Sequence, residues 1–487
     1  MWLRVTLLLA AAAPIAGLTL ALVPGKPVPV DTPWKHVPQP APHVDHSQLI
    51  TGPLESGPAV TRACLKCHPN AARQVMQTSH WTWAGEKVKL PGSNQVVQVG
   101  KANLVNNFCI HAGANIEKCS ACHAGYGWHD TSFDFTSPKS EENVDCLVCH
   151  EQTGSYQKGN AGMPEKGVDL VAVAKSVARP TRKNCGDCHF RGGGGDAVKH
   201  GDLDGSMYFP KERIDVHMGE AGFQCVDCHQ THDHRIPGCS MSVGTGAGRR
   251  VSCTDCHHEK PHGDQRLDAH TAKVACQTCH IPRMAIDVPT KMYWDWSQAG
   301  QNGRKEDPHE YLKIKGSFKY AQNLRPEYYW YNGNAYRYLT GQHINPSQVV
   351  LINKPLGGPR DPEAKIWPFK VHRGRQIYDT VNNYLLTPRT WGPGGYWTDF
   401  DWDEACRLGV ETSGLKYSGH YGWVETAMYW PLSHMVQPKE KALQCVDCHG
   451  DRGVLNWRQL GYEGDPAFRG VAYRSQRVGG GGPEGSR

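Results

Sequence analysis

The sequence predicts a mainly α-helical chain with extensive irregular loops, wrapped around large covalently held cofactors rather than an aliphatic core. Three observations predict it. The pentapeptide Cys-x-x-Cys-His occurs eight times in 487 residues. Only 39% of residues are hydrophobic while Gly and Pro number 53 and 33, a thin aliphatic supply for this length. The linkers between successive motifs are too short to be domains, so short helices and turns are expected, with each motif on one or two helical turns.

The motifs are Cys64, Cys67 and His68; Cys119, Cys122 and His123; Cys146, Cys149 and His150; and Cys185, Cys188 and His189. They continue with Cys225, Cys228 and His229; Cys253, Cys256 and His257; Cys276, Cys279 and His280; and Cys445, Cys448 and His449. This spacing is the c-type haem attachment signature. Both thiols form thioethers to the porphyrin, and the adjacent imidazole is aimed at the iron. Zinc ribbons also use Cys-x-x-Cys, but they take their remaining ligands at variable distance and do not require His immediately after the second Cys. Eight covalent haem c groups are expected, and these apolar plates supply much of the interior. The formal charge of +6 omits haem propionates, and no basic stripe with interleaved aromatics points to nucleic acid.

Residues 1–23 read as a signal peptide or N-terminal anchor, with Arg4 before the apolar run Val5–Val23. Export to a periplasm is expected either way, with a possible membrane tether. Residues 24–60 read as a Pro-rich tether in which His36, His43 and His46 are expected to be solvated. Residues 61–290 form a seven-haem region, and residues 291–470 an aromatic-rich region carrying the eighth haem. Its Tyr and Trp clusters, such as Tyr328-Tyr329-Trp330-Tyr331, are expected against haem edges. Residues 471–487 read as a disordered Gly-rich tail.

Haems that only transfer electrons need a second His, whereas an enzymatic haem keeps an open position. The distal candidates are His80, His200, His217, His234, His262, His270, His372 and His434. Outside the motifs lie Cys109, Cys239 and Cys406, whose odd number leaves at least one thiol free or linked between chains. The run Gly192–Gly195 is either a flexible linker or a loop passing close to a cofactor.

Longer strings carry a family resemblance. They are Ser79-His80-Trp81-Thr82-Trp83, Asn106-Asn107-Phe108-Cys109-Ile110, Gly125-Tyr126-Gly127-Trp128, Asn143-Val144-Asp145-Cys146, and Gly192 to Asp202. From about Ala63 to Gly450 the chain resembles the octahaem tetrathionate reductase family of periplasmic cytochromes. The resemblance implies that the second haem, on Cys119 and Cys122, is the active site. It implies Lys199 as an iron ligand, with Asp196 and Cys109 in the catalytic group and His123 less committed to the iron. A lysine ligates iron only as the neutral amine, a form that burial and the metal favour. The expected activity is reduction of a small oxyanion, tetrathionate with nitrite or hydroxylamine as further candidates. Electrons would come from a periplasmic or membrane donor, and Lys118 is a candidate for attracting anions. The rival expectations are a non-enzymatic multihaem carrier and an oxidase resembling hydroxylamine oxidoreductase.

Overall fold

The computed structural model describes residues 43–89, 94, 96–101, 104–108, 111–238, 240–241 and 250–468. The signal or anchor, most of the tether, Cys109, Cys239 and the Gly-rich tail therefore lie outside the described residues. Among the described residues no helix is long and apolar enough to cross a membrane. The chain divides into two compact units, of which the smaller is described only as Ser252–His270. That segment holds the sixth motif on a 3-10 turn and the short helix Gln265–His270.

The larger unit overturns the expectation of a mainly α fold. Its centre is an eight-stranded mixed sheet. In chain order the strands of the unit are β1 (Ala84–Lys89), β2 (Val96–Gly100), β3 (Thr290–Asp295), β4 (Tyr311–Leu312), β5 (Gly316–Ala321) and β6 (Glu327–Tyr331). They continue with β7 (Ala335–Arg337), β8 (Val350–Leu351), β9 (Asn353–Pro355), β10 (Lys365–Asp379), β11 (Tyr384–Leu385) and β12 (Tyr421–Pro431). The large sheet runs β4-β5-β3-β10-β12-β8, with β6 and β11 also paired to β10. β10 and β12 are antiparallel from Phe369↔Pro431 to Asp379↔Tyr421, while β10 and β3 are parallel. β1 with β2 and β7 with β9 form separate antiparallel pairs.

The physical reason for the departure lies in the aromatic-rich region. Its Tyr, Trp and Val residues are strand formers on a pleated, half-buried surface. Glu327–Tyr331 becomes β6, and Tyr421–Pro431, rich in Trp, Tyr and Val, becomes β12. The aromatics thus pack largely on one another. Trp294 stacks on Trp296 at 4.4 Å, and Tyr396 stacks on Trp402 at 3.7 Å.

Helices outside the sheet are short. The longest among the described residues, Trp402–Ser413, starts at Asp401, whose side chain accepts the Glu404 N–H, and stops at Gly414 with φ +70°. It buries Trp402, Ala405, Cys406, Gly409 and Val410, one stripe at helical spacing. The described segments before residue 241 carry the first five motifs on helices of at most nine residues, 3-10 turns and loops, with the β1-β2 pair among them.

Candidate haem-binding and active site

Each attachment turn is made locally. In Cys225–Cys228 and Cys445–Cys448 the intervening Asp reaches back to the chain. Asp227 accepts the Gln224 N–H at 2.7 Å and Asp447 accepts the Gln444 N–H at 2.8 Å. One helical turn brings residues three and four apart to the same face, so both thiols and the following imidazole meet one cofactor.

Four motif imidazoles face a second imidazole. Ring centres are 6.3 Å apart for His68 and His46, 6.5 Å for His150 and His234, 6.1 Å for His189 and His80, and 6.3 Å for His229 and His434. Two imidazoles bound trans to one metal at about 2.0 Å each place their ring centres roughly 6 Å apart. Each gap therefore has the width of one iron. His80, His234 and His434 from the sequence stand in these pairs. His46, expected to be solvated, does too.

The second ring nitrogens agree. Nδ1 of His46 meets the Val44 carbonyl at 2.8 Å, His150 the Ala178 carbonyl at 2.9 Å, and His229 the Pro237 carbonyl at 2.7 Å. His234 Nδ1 meets Gln74 Oε1 at 2.9 Å, and His434 Nδ1 meets Asp202 Oδ2 at 3.2 Å. A carbonyl or carboxylate partner makes Nδ1 the donor and leaves Nε2 with its lone pair for iron. The same holds at His449 with Asp465 (2.6 Å), at His262 with Asp268 (3.0 Å) and at His270 with the Arg266 carbonyl (2.8 Å). Burial holds His189 down at about 3 and pushes His123 well below the usual imidazole value, so both are neutral, the form that binds metal.

The remaining distal candidates sit otherwise. His200 is edge-on to Trp430 at 4.9 Å. His372 is fully buried in β10 beside Phe108 at 4.5 Å, with neither ring nitrogen hydrogen-bonded. His217 has Nδ1 3.9 Å from Asp215.

The second motif differs from the four paired ones. The ring neighbours of His123 are Trp83, stacked at 3.8 Å and 7°, and Trp128 at 5.7 Å. Among the described residues no second imidazole faces it. Its Nδ1 meets the His80 carbonyl at 3.2 Å, so Nε2 keeps its lone pair. Ser79-His80-Trp81-Thr82-Trp83 builds this corner. Ser79–Thr82 is one helical turn, and Trp83 ends it at φ +59°, a left-handed conformation unusual for so bulky a residue. That turn aims the His80 ring at His189, the His80 carbonyl at His123 and the Trp83 indole flat onto His123.

Lys199 arrives from the glycine loop. Gly193 and Gly194 adopt φ +85° and +97°, and a Cβ on Gly192 would lie 3.1 Å from Lys199 Cδ. The glycines thus form a tight turn that leaves room for the lysine stem. Lys199 Nζ lies 5.3 Å from the Trp430 ring centre, and its charge acts on Cys122, His189 and His200. Asp196 is exposed and accepts the Gly205 N–H at 2.8 Å, tying the loop. Lys118 is exposed.

Thiols of different motifs also meet. Cys122 interacts with Cys188, Cys64 with Cys146, and Cys185 with Cys225. The attachment points of the second and fourth haems are therefore neighbours, as are those of the first and third and of the fourth and fifth. Sequence reasoning missed Lys158 and Lys370, two buried lysines beside this site, because nothing local separates a buried lysine from a solvated one.

Paired thiols, facing imidazoles and tied Nδ1 atoms define a multihaem c-type cytochrome. A family model described as bacterial cytochrome c matches residues 291–452. The crystal structure of octahaem cytochrome c from Shewanella oneidensis is 46% identical, with a TM-score of 0.81 over 87% of this chain and 98% of that one. An uncharacterised protein of Archaeoglobus fulgidus is 24% identical over 263 residues, 44% of this chain and 88% of its own length. The chain belongs to the octahaem cytochromes c and carries eight covalent haem c groups.

Proposed function

We propose that this chain is a periplasmic octahaem reductase that passes electrons along bis-imidazole haems to its second haem, where a small oxyanion is reduced. The observation that carries the reading is His123. Its ring packs on Trp83, whereas the four paired motif histidines each face an imidazole at 6.1–6.5 Å. The charge of Lys199 acts on Cys122 of the second motif, which supports Lys199 as the ligand there in place of a second imidazole. Haem c bound there supplies single-electron transfer and an iron able to take a guest ligand. The chain supplies the rest. The charge of Lys101 acts at Cys122 and favours an anion there. The thiol contact of Cys122 with Cys188 supports the fourth haem as the immediate electron donor.

The proposed substrate is tetrathionate. Two electrons break its central S–S bond and release two thiosulfates, with no proton consumed. Nitrite and hydroxylamine are the other acceptors the reading admits, with a periplasmic or membrane redox protein as donor. Cys109 lies outside the described residues and takes no step here.

Electron paramagnetic resonance of the oxidised protein, paired with reductive assays on these three acceptors, tests the reading. The expected result is one haem signal distinct from the bis-imidazole set, altered in Lys199→Met together with loss of turnover. An identical spectrum in Lys199→Met sinks the lysine-ligated site. Turnover only as hydroxylamine oxidation removes the word reductase. The paired imidazoles also suit a pure electron carrier, the reading left if no added ligand perturbs any haem.

A further inference from the structure

Lys370 lies in β10 with no solvent exposure. Its Nζ donates to the Val198 carbonyl at 2.9 Å, the Lys199 carbonyl at 3.2 Å and Thr290 Oγ1 at 2.5 Å. Thr290 Oγ1 in turn lies 2.6 Å from the Ala197 carbonyl and 3.0 Å from the His200 carbonyl, one of which receives its hydrogen. Nζ thus meets three oxygens at once, in surroundings whose burial pushes Lys370 well below the usual lysine value. Between them, Lys370 and Thr290 donate to three of the four consecutive carbonyls of residues 197–200, drawing this segment onto β3 and β10. A backbone held at both carbonyls flanking the Lys199 side chain leaves that chain only its own rotamers.

The backbone of His123 is held in a similar way. Lys158 Nζ donates to the His123 carbonyl at 2.5 Å and the Gly125 carbonyl at 3.2 Å, with its charge balanced by buried Asp145 at 2.8 Å. The two residues offered to the second haem are each held from behind by a buried lysine.

We propose that Lys370 is a positioning residue for the second haem, holding the Lys199 backbone so that its amine is delivered to one place. This rests on the reading of Lys199 as the ligand. A lysine suits the task because the hydrogen-bonding positions of Nζ radiate from one atom and can converge on adjacent carbonyls, which a glutamine amide cannot.

The test uses the full holoprotein with Lys370→Met, Thr290→Val and Lys199→Met in parallel. Haem content, resonance spectra and tetrathionate kinetics are measured for each. Lys370→Met is expected to keep eight haems and unchanged bis-imidazole signals. Its second-haem signal should shift or split, and kcat should fall tenfold or more. Thr290→Val, which removes an acceptor of Nζ without deleting the buried amine, should shift the same signal less. If Lys370→Met fails to accumulate, Thr290→Val decides alone. A wild-type second-haem signal in the variants that fold, even with a lowered melting temperature, overturns the proposal and leaves Lys370 purely structural. If Lys199→Met itself leaves the signal unchanged, it is the ligation reading that has failed.

Discussion

Removal of the His46 ring leaves His68 with nothing 6.3 Å across from it. His46→Ala should therefore open the first haem to carbon monoxide and convert one low-spin signal to high spin, with the other seven haems unaffected. An unchanged spectrum would remove His46 as a ligand. Asp204 gives a pH dependence. Burial, with Asp196 and Asp202 nearby, pushes its carboxyl from 3.8 up to about 6. Below about 4 it is protonated in the folded and unfolded chains and costs nothing. Between about 4 and 6 only the unfolded chain has lost the proton, so stability falls as pH rises, and above about 6 the whole penalty of roughly 2–3 kcal/mol remains. Asp204→Asn should melt higher than the parent at pH 7 and with it at pH 4. Equal melting at both values would contradict the shift. At this scale the sequence showed the attachment sites because their spacing is local. It did not show His46, whose partner lies beyond a Pro-rich stretch that composition alone marks as solvated.

Elements were legible where one period dominated. The attachment turns follow from a five-residue pattern, and their short Asp caps from one side chain each. The sheet was hidden because Trp and Tyr serve equally as cofactor packing and as strand formers, and only cross-strand pairing decides between them. Tyr328 and Trp330 became sheet residues because Pro368 and Ile366 of β10 offered partners. The helix Trp402–Ser413 carries a sharp prediction. A Cβ on Gly409 would stand 1.9 Å from the Thr387 carbonyl and 2.7 Å from the Arg389 nitrogen, both backbone atoms that cannot rotate away. Gly409→Ala should cost about 1–3 kcal/mol by forcing the helix off this segment, read as a lowered midpoint in urea. An unchanged midpoint would mean that the helix tolerates displacement.

At the scale of the larger unit, apolar material is unevenly distributed. The largest cluster, around Trp294, Trp296, Tyr396, Trp402 and Trp430, belongs largely to the sheet region. The motif-bearing segments hold small groups such as Val60, Leu147, Leu170 and Val173. Covalent cofactors must complete those interiors, since so little aliphatic surface cannot offset chain entropy. Chain produced in cells lacking the attachment machinery should lose residues 43–241 rapidly to limited proteolysis, while fragments of 271–468 persist with a β-rich circular dichroism spectrum. Uniform protection would show that the haem-bearing segments fold by themselves. The thin composition announced this dependence. The place of the self-sufficient part could not be read until strands had found their partners.

One residue, His80, touches two motif histidines at once. Its imidazole stands across from His189, while its carbonyl receives the proton of His123. Ring and carbonyl share one α-carbon, so both motif histidines lean on the same residue. A substitution that moves the backbone at this position therefore disturbs the surroundings of both motif histidines.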